Sequence, residues 1–227
     1  MKRSALLCVL ALLLGATAGL LLNFSQLDGR GLLASNAAAA TTPSTALLSP
    51  YTTVSSVDPD SNAPLLDAGN AVLAALKKDD IQTLSTLVDP ERGVTFTPYS
   101  TVNFDSDLTF TPAQVQALSK DKNLYTWGFE DGRGNPIKMT MEQYFARYVY
   151  NTDYTQATVI GVDQIITTGN ALENLTEEYP GCRFVDFCLP SADPQNDGLD
   201  WSSLKLVFTL EDSGWMLVGI VHGEWTV

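Results

Sequence analysis

Apolar positions recur at helical spacing through the first part of the chain beyond residue 62 and alternate toward its end. Leu65, Gly69, Val72, Leu73 and Leu76 share one face of a predicted helix. Asn62 is a candidate cap, Pro64 suits the first turn, and Lys77-Lys78 suit the negative end of the helix dipole. A shorter helix restarts at Asp79 or Asp80 and carries Ile81, Leu84, Leu87 and Val88. Thr111-Pro112 opens another near Val115 and Leu118. Thr140 and Gln143 have capping-box spacing, and Met141, Tyr144, Phe145, Tyr148 and Val149 form the apolar stripe behind them.

The remaining apolar runs have strand character. Val94–Phe96 is short; Ala157–Ile166 is rich in β-branched residues; Arg183–Leu189 alternates. The strongest β signal is a hairpin in which Ser203–Leu210 alternates, Glu211–Gly214 turns and Trp215–His222 returns, with Gly219 marking a bend or bulge. Helices first and an antiparallel sheet last predict an α+β domain.

A different pattern precedes that domain. Met1-Lys2-Arg3 leads into an uncharged run from Ser4 to Gln26 whose core, Ala5–Leu22, is almost wholly apolar. A basic start before such a run reads as an export signal, and a core of this length also meets the ~18–20 residues needed to span a bilayer. Residues 1–37 are therefore expected to be a signal peptide or a membrane anchor, formed by an apolar N-terminal helix. The remainder is expected to be extracytoplasmic, secreted or anchored by that segment. Residues 38–62, rich in Ala, Thr, Ser and Pro, read as a flexible tether. Residues 63–227 are of a size that buries one core.

Charge narrows the partners. The chain carries a net charge of −13, and residues 1–37 hold three of its 13 basic side chains (Lys2, Arg3, Arg30) and one of its 26 acidic ones (Asp28). The rest is more acidic still and shows no basic stripe, which excludes a nucleic-acid partner. Membrane contact is expected only through the N-terminal segment.

Cysteine changes the picture less. With Cys8 in the leader, Cys182 and Cys188 remain, and two nearby thiols outside the cytoplasm are expected to form a disulfide. The spacing sets a condition: fully extended, six residues separate their α-carbons by ~20 Å, against the ~5–6 Å of a disulfide. The segment must turn back on itself, or the thiols stay free.

The helix ending Ala-Leu-Lys-Lys-Asp-Asp, the short helix over Ile81–Val88 and the hairpin ending Gly-Trp-Met-Leu-Val-Gly-Ile-Val resemble the nuclear transport factor 2-like (cystatin-like) superfamily. The stretches Arg92–Tyr99, Tyr125–Gly132 and Asp200–Leu204 resemble those of uncharacterised extracellular bacterial proteins. The resemblance implies N-terminal helices packed on a strongly curved antiparallel sheet, a cone with a cavity between helices and sheet. It does not imply a chemistry, because this fold hosts enzymes and binding modules alike.

Candidate chemistry is sparse. His222, the only histidine, is a possible general base with Asp131 or Asp153, or else a structural residue. Tyr144 and Tyr148, one helical turn apart, could line a ligand cavity with Trp127 and His222, or pack as core. The loop Asp193–Asp200 resembles a calcium loop but has Leu204 where a bidentate Glu is required. No metal, cofactor or nucleophile motif is expected. The leading expectation is a non-catalytic domain binding an unknown small molecule or envelope partner. The alternatives are a small isomerase- or dehydratase-like enzyme using His222, and a homodimerising structural domain.

Overall fold

The computed structural model describes residues 61–226. The predicted leader, and residues 38–60 of the predicted tether, lie outside the described residues. The described helices are α1 (Asn62–Lys77), α2 (Ile81–Leu87), α3 (Pro112–Leu118), α4 (Met141–Tyr144) and α5 (Leu175–Glu178); α4 continues into a π-helical turn over Phe145–Val149. Strands β1 (Val94–Thr97), β2 (Leu108–Phe110), β5 (Val159–Val162), β6 (Arg183–Leu189), β7 (Ser202–Glu211) and β8 (Gly214–Glu224) form one sheet in the order β2-β1-β8-β7-β6-β5. The strands β3 (Tyr125–Phe129) and β4 (Pro136–Met139) make a separate ribbon.

Local sequence explains most of these boundaries. α1 buries the predicted stripe of Leu65, Gly69, Val72, Leu73 and Leu76. A methyl group on Gly69 would lie 3.0 Å from the Phe187 ring, so glycine lets α1 sit close against β6. The Asp80 carboxylate accepts from the Thr83 N–H and caps α2. Thr111 and Gln114, then Thr140 and Gln143, make reciprocal capping boxes that start α3 and α4. The β7–β8 hairpin turns between Glu211 and Gly214, as its pattern predicts. Its pairing slips where Val207 faces Gly219 and Phe208 faces Leu217, leaving Val218 as the extra residue of a bulge. A Cβ on Gly219 would meet the Tyr179 hydroxyl at 2.6 Å, which explains a glycine beside the bulge.

Both faces of the sheet are buried. On one, Val185, Phe187, Leu204, Leu206, Phe208 and Ile220 meet α1 and the aromatic residues of β1, β3 and α4. On the other, Phe184, Val207, Val218 and Val221 pack under Leu175, Tyr179 and Val102. The second face also holds charge. Lys205 is fully buried, opposite Asp186 in the β6–β7 register, and its Nζ lies 3.1 Å from Glu173 Oε2. Asp186 accepts from the Ser203 hydroxyl at 2.8 Å and the Ile166 N–H at 2.9 Å. These contacts pin the segment between β5 and α5 across the sheet.

The expected strongly curved antiparallel cone is corrected on two counts. β1 runs parallel to β8, so the sheet is mixed. The sheet is also open, with β2 and β5 as its edges. The covering segment around α5 supplies a second buried face, so the strands need not curl around the helices to remove their apolar side chains from water. The apolar N-terminal helix lies outside the described residues.

Two further expectations are corrected. Cys182 and Cys188 are free thiols. Cys188 lies within β6 and Cys182 immediately before it, so the intervening chain runs extended and holds the sulfurs apart. The transmembrane anchor, and with it the localisation and membrane contact read from it, finds no support among the described residues, and residues 1–37 that would form it lie outside them. Among the described residues no helix is long and apolar enough to cross a membrane.

Candidate functional site

His222 stands on β8 opposite Leu204, on the same face as Ile220, and is fully buried. Its Nδ1 lies 3.4 Å from the Tyr154 hydroxyl, its Nε2 lies 3.3 Å from Glu224 Oε2, and its ring meets Tyr148 edge-on. Burial pushes the imidazole below its ordinary pKa, against the pull of Glu224. The ring is therefore neutral near pH 7. Tyr154 also donates to Asn151 at 2.8 Å and contacts the Ser202 hydroxyl at 2.7 Å.

Glu224 connects this buried corner to the surface. Arg147 grips both of its oxygens, at 3.0 and 2.5 Å, and the guanidinium lies 4.5 Å from the Tyr148 ring centre. Burial pushes the Glu224 carboxyl up, but His222 and Arg147 together outweigh it and hold the group at about 2. It is an ionised anchor at neutral pH.

The two carboxylates paired with His222 in the sequence reading lie elsewhere. Asp131 accepts from the Thr226 hydroxyl. Asp153 binds Lys77 at 2.8 Å and accepts from Thr155 and Tyr150, and Lys77 above all holds its carboxyl well below the usual range. Neither is a partner of His222. The aromatic candidates do come together. Trp127 and Tyr144 stack at 4.0 Å with 10° between planes, both fully buried, and Tyr148 lies 5.2 Å from Tyr144. Phe96, Phe110 and Tyr125 surround the Trp127 ring, and its N–H donates to the Met139 carbonyl at 2.9 Å. Rings so enclosed fill the core.

Three cavities open elsewhere. One of about 420 Å³ lies among the helices, lined by Leu76 of α1 and Asp79 after it, by Leu118, Ser119, Asp121 and Lys122 around the end of α3, and by Met141, Glu142, Phe145, Ala146 and Tyr150. A second, of about 360 Å³, is bounded by Tyr99, Asp107, Phe129 and Asp131. A third, of about 210 Å³, reaches Tyr99, Arg133, Arg147, Glu224 and Trp225. His222 lines none of these three.

Sequence reasoning passed over Asp107 and Arg147. Asp107 accepts from the Thr97 hydroxyl at 2.7 Å and the Asn103 N–H at 3.0 Å. Burial raises its carboxyl to about 6. A single aspartate in a polar turn gives no sign of that burial. Arg147 carries no local sign either, because its partner lies 77 positions away. Among the described residues no group of three or more His, Cys, Asp or Glu can hold a metal ion. In the former calcium-loop candidate, Asp200 accepts from Ser191 and the Asp193 N–H and so closes its own turn.

No protein-family model matches the chain, and no curated protein matches it. Solved structures give distant similarity to several NTF2-like and cystatin-like proteins. An NTF-2 like protein of unknown function from Shewanella oneidensis MR-1 is 7% identical, with a TM-score of 0.34 over 71% of this chain and 98% of its own. A candidate dehydratase from the NTF2-like family from Streptomyces avermitilis is 12% identical, with a TM-score of 0.35 over 73% and 98%. A domain of unknown function with a cystatin-like fold from Nostoc punctiforme is 9% identical, with a TM-score of 0.31 over 70% and 73%. At TM-scores this low the likenesses carry no argument about function.

Proposed function

We propose that the domain is a non-catalytic binding module whose ligand occupies the interhelical cavity. One observation carries this reading. The cavity of about 420 Å³ has an apolar floor of Leu76, Leu118, Met141 and Phe145 under a rim of charged side chains. Its volume falls within the ~300–1,000 Å³ of small-molecule sites, and an apolar wall with a few polar groups is their usual make-up. The reading departs from the sequence expectation in one respect. The cavity lies among helix ends, because the Trp127–Tyr144 stack and its neighbours fill the space over the sheet.

The uncharged fluorophore N-phenyl-1-naphthylamine tests this reading. Wild-type protein is expected to enhance its emission saturably. Ala146→Trp places an indole in the cavity from an exposed position and is expected to abolish the enhancement, with an unchanged circular dichroism spectrum. Equal enhancement by both proteins would place the probe elsewhere and remove the proposal.

A further inference from the structure

The charges around the same cavity specify the kind of ligand, an inference that rests on the binding reading above. Four charged side chains line it: Asp79, Asp121, Glu142 and Lys122. Lys122 Nζ lies 3.0 Å from Glu142 Oε2, so that pair is neutral as a unit. Asp79 and Asp121 remain without a cation among the described residues. Lys77, the last residue of α1, is committed to Asp153 at 2.8 Å, and Lys78, next to Asp79 in the chain, makes no ion pair with it.

The two carboxylates differ. Asp121 accepts from the Tyr125 hydroxyl and from the Asn123 N–H at 2.8 Å, and the Tyr125 bond above all holds it below the usual range. It keeps its negative charge but is tied into its own turn. The Asp79 carboxylate takes no hydrogen bond and no ion pair among the described residues. Its backbone has φ 53°, in the left-handed region that only Gly, Asn and Asp enter at little cost. The chain thus turns out of α1 at a residue whose unpaired carboxylate stands at the cavity wall. Phe145 and Tyr150 are the aromatic residues of that wall.

We propose that the cavity takes a small cationic amphiphile. Its apolar body lies on Leu76, Leu118, Met141 and Phe145, and its ammonium group faces Asp79 and Asp121. Charge complementarity is the ground for this choice: an anion would meet two uncompensated carboxylates on a chain of net charge −13. A metal ion would need further ligands here, since among the described residues no group of three or more His, Cys, Asp or Glu stands together to hold one.

The test compares three probes by titration: decyltrimethylammonium and decyl sulfate, both below micelle formation, and uncharged N-phenyl-1-naphthylamine. The ammonium probe is expected to bind about tenfold tighter than the sulfate at low salt, with the difference shrinking as salt screens it. Asp79→Asn keeps a side chain suited to positive φ and is expected to reduce that preference about threefold, the scale of one exposed ion pair. Affinity for the neutral probe is expected to stay unchanged. Equal binding of the two charged probes, or a preference untouched by Asp79→Asn, overturns the ligand class while leaving the site standing. If no probe responds to Ala146→Trp, or to Ser119→Trp at the end of α3, the site fails and the ligand class fails with it.

Discussion

Replacing Glu173 by alanine removes the one carboxylate, among the described residues, within ion-pair distance of Lys205, which has no exposed surface. Asp186 stands opposite Lys205, but its oxygens are engaged by Ser203 and by the Ile166 N–H. The other contact of the ammonium is the Ser100 hydroxyl at 3.5 Å, a weak one. Breaking a buried pair from one side typically costs about 3–5 kcal/mol, because the remaining charge stays desolvated. Glu173 keeps 15% exposure, which lets water reach the site, so we expect about 2–3 kcal/mol for Glu173→Ala. Lys205→Met in the same background removes the stranded charge and is expected to restore at least ~1 kcal/mol, since an apolar side chain of similar volume often substitutes for a buried pair without loss. Urea unfolding followed by tryptophan fluorescence measures these two variants and Lys205→Met alone, and a common slope m confirms that midpoint differences report stability. A loss below ~0.5 kcal/mol for Glu173→Ala, or strictly additive effects in the double variant, would refute the claim that this pair holds the covering segment on the sheet.

Three other outcomes follow from the same geometry. Asp107 titrates at about 6 in the folded state and near 3.9 unfolded, so the stability it contributes is complete below ~pH 4 and lost as pH rises through ~6. Asp107→Asn should flatten the wild-type decline across that window, seen as a variant-minus-wild-type difference in urea midpoints; parallel pH curves would contradict the burial argument. Gly219→Ala brings a methyl group within 2.6 Å of the Tyr179 hydroxyl and is expected to cost about 1–3 kcal/mol, whereas Tyr179→Phe in the same protein should recover part of it. With a thiol reagent, half-buried Cys182 should react in the native state and buried Cys188 only on unfolding; a mass lower by two hydrogens without added oxidant would count against both free thiols.

How much was legible depends on whether the determining contact is local. The stripe of α1, both caps around Thr111 and Thr140 and the hairpin turn at Glu211–Gly214 were all visible, because each is set by neighbours within a few residues. The predicted strand over Ala157–Ile166 shrinks to Val159–Val162, since its β-branched tail crosses the back of the sheet, where Ile166 donates its N–H to Asp186. The parallel pairing of β1 with β8 was not legible: Thr95 meets Gly219 across more than half the domain, and no periodicity carries that choice. The same holds for the site. His222 was noticed because it is unique, yet the side chains that settle its environment, Tyr154, Tyr148 and Glu224, include two from distant segments. Asp79 is a helix boundary in the sequence, and its unpaired state shows only in the folded chain, where Lys77 and Lys122 pair with Asp153 and Glu142.

β8 lies between β1 and β7 although it follows every other described strand in the chain. Neither β1 with β2 nor β5 to β7 can join the other group until residues 214–224 slot between them. Nascent chains halted short of that segment would hold two half-sheets with raw inner edges, vulnerable to mispairing and to proteases. The six-stranded sheet is therefore complete only once residues 214–224 are in place.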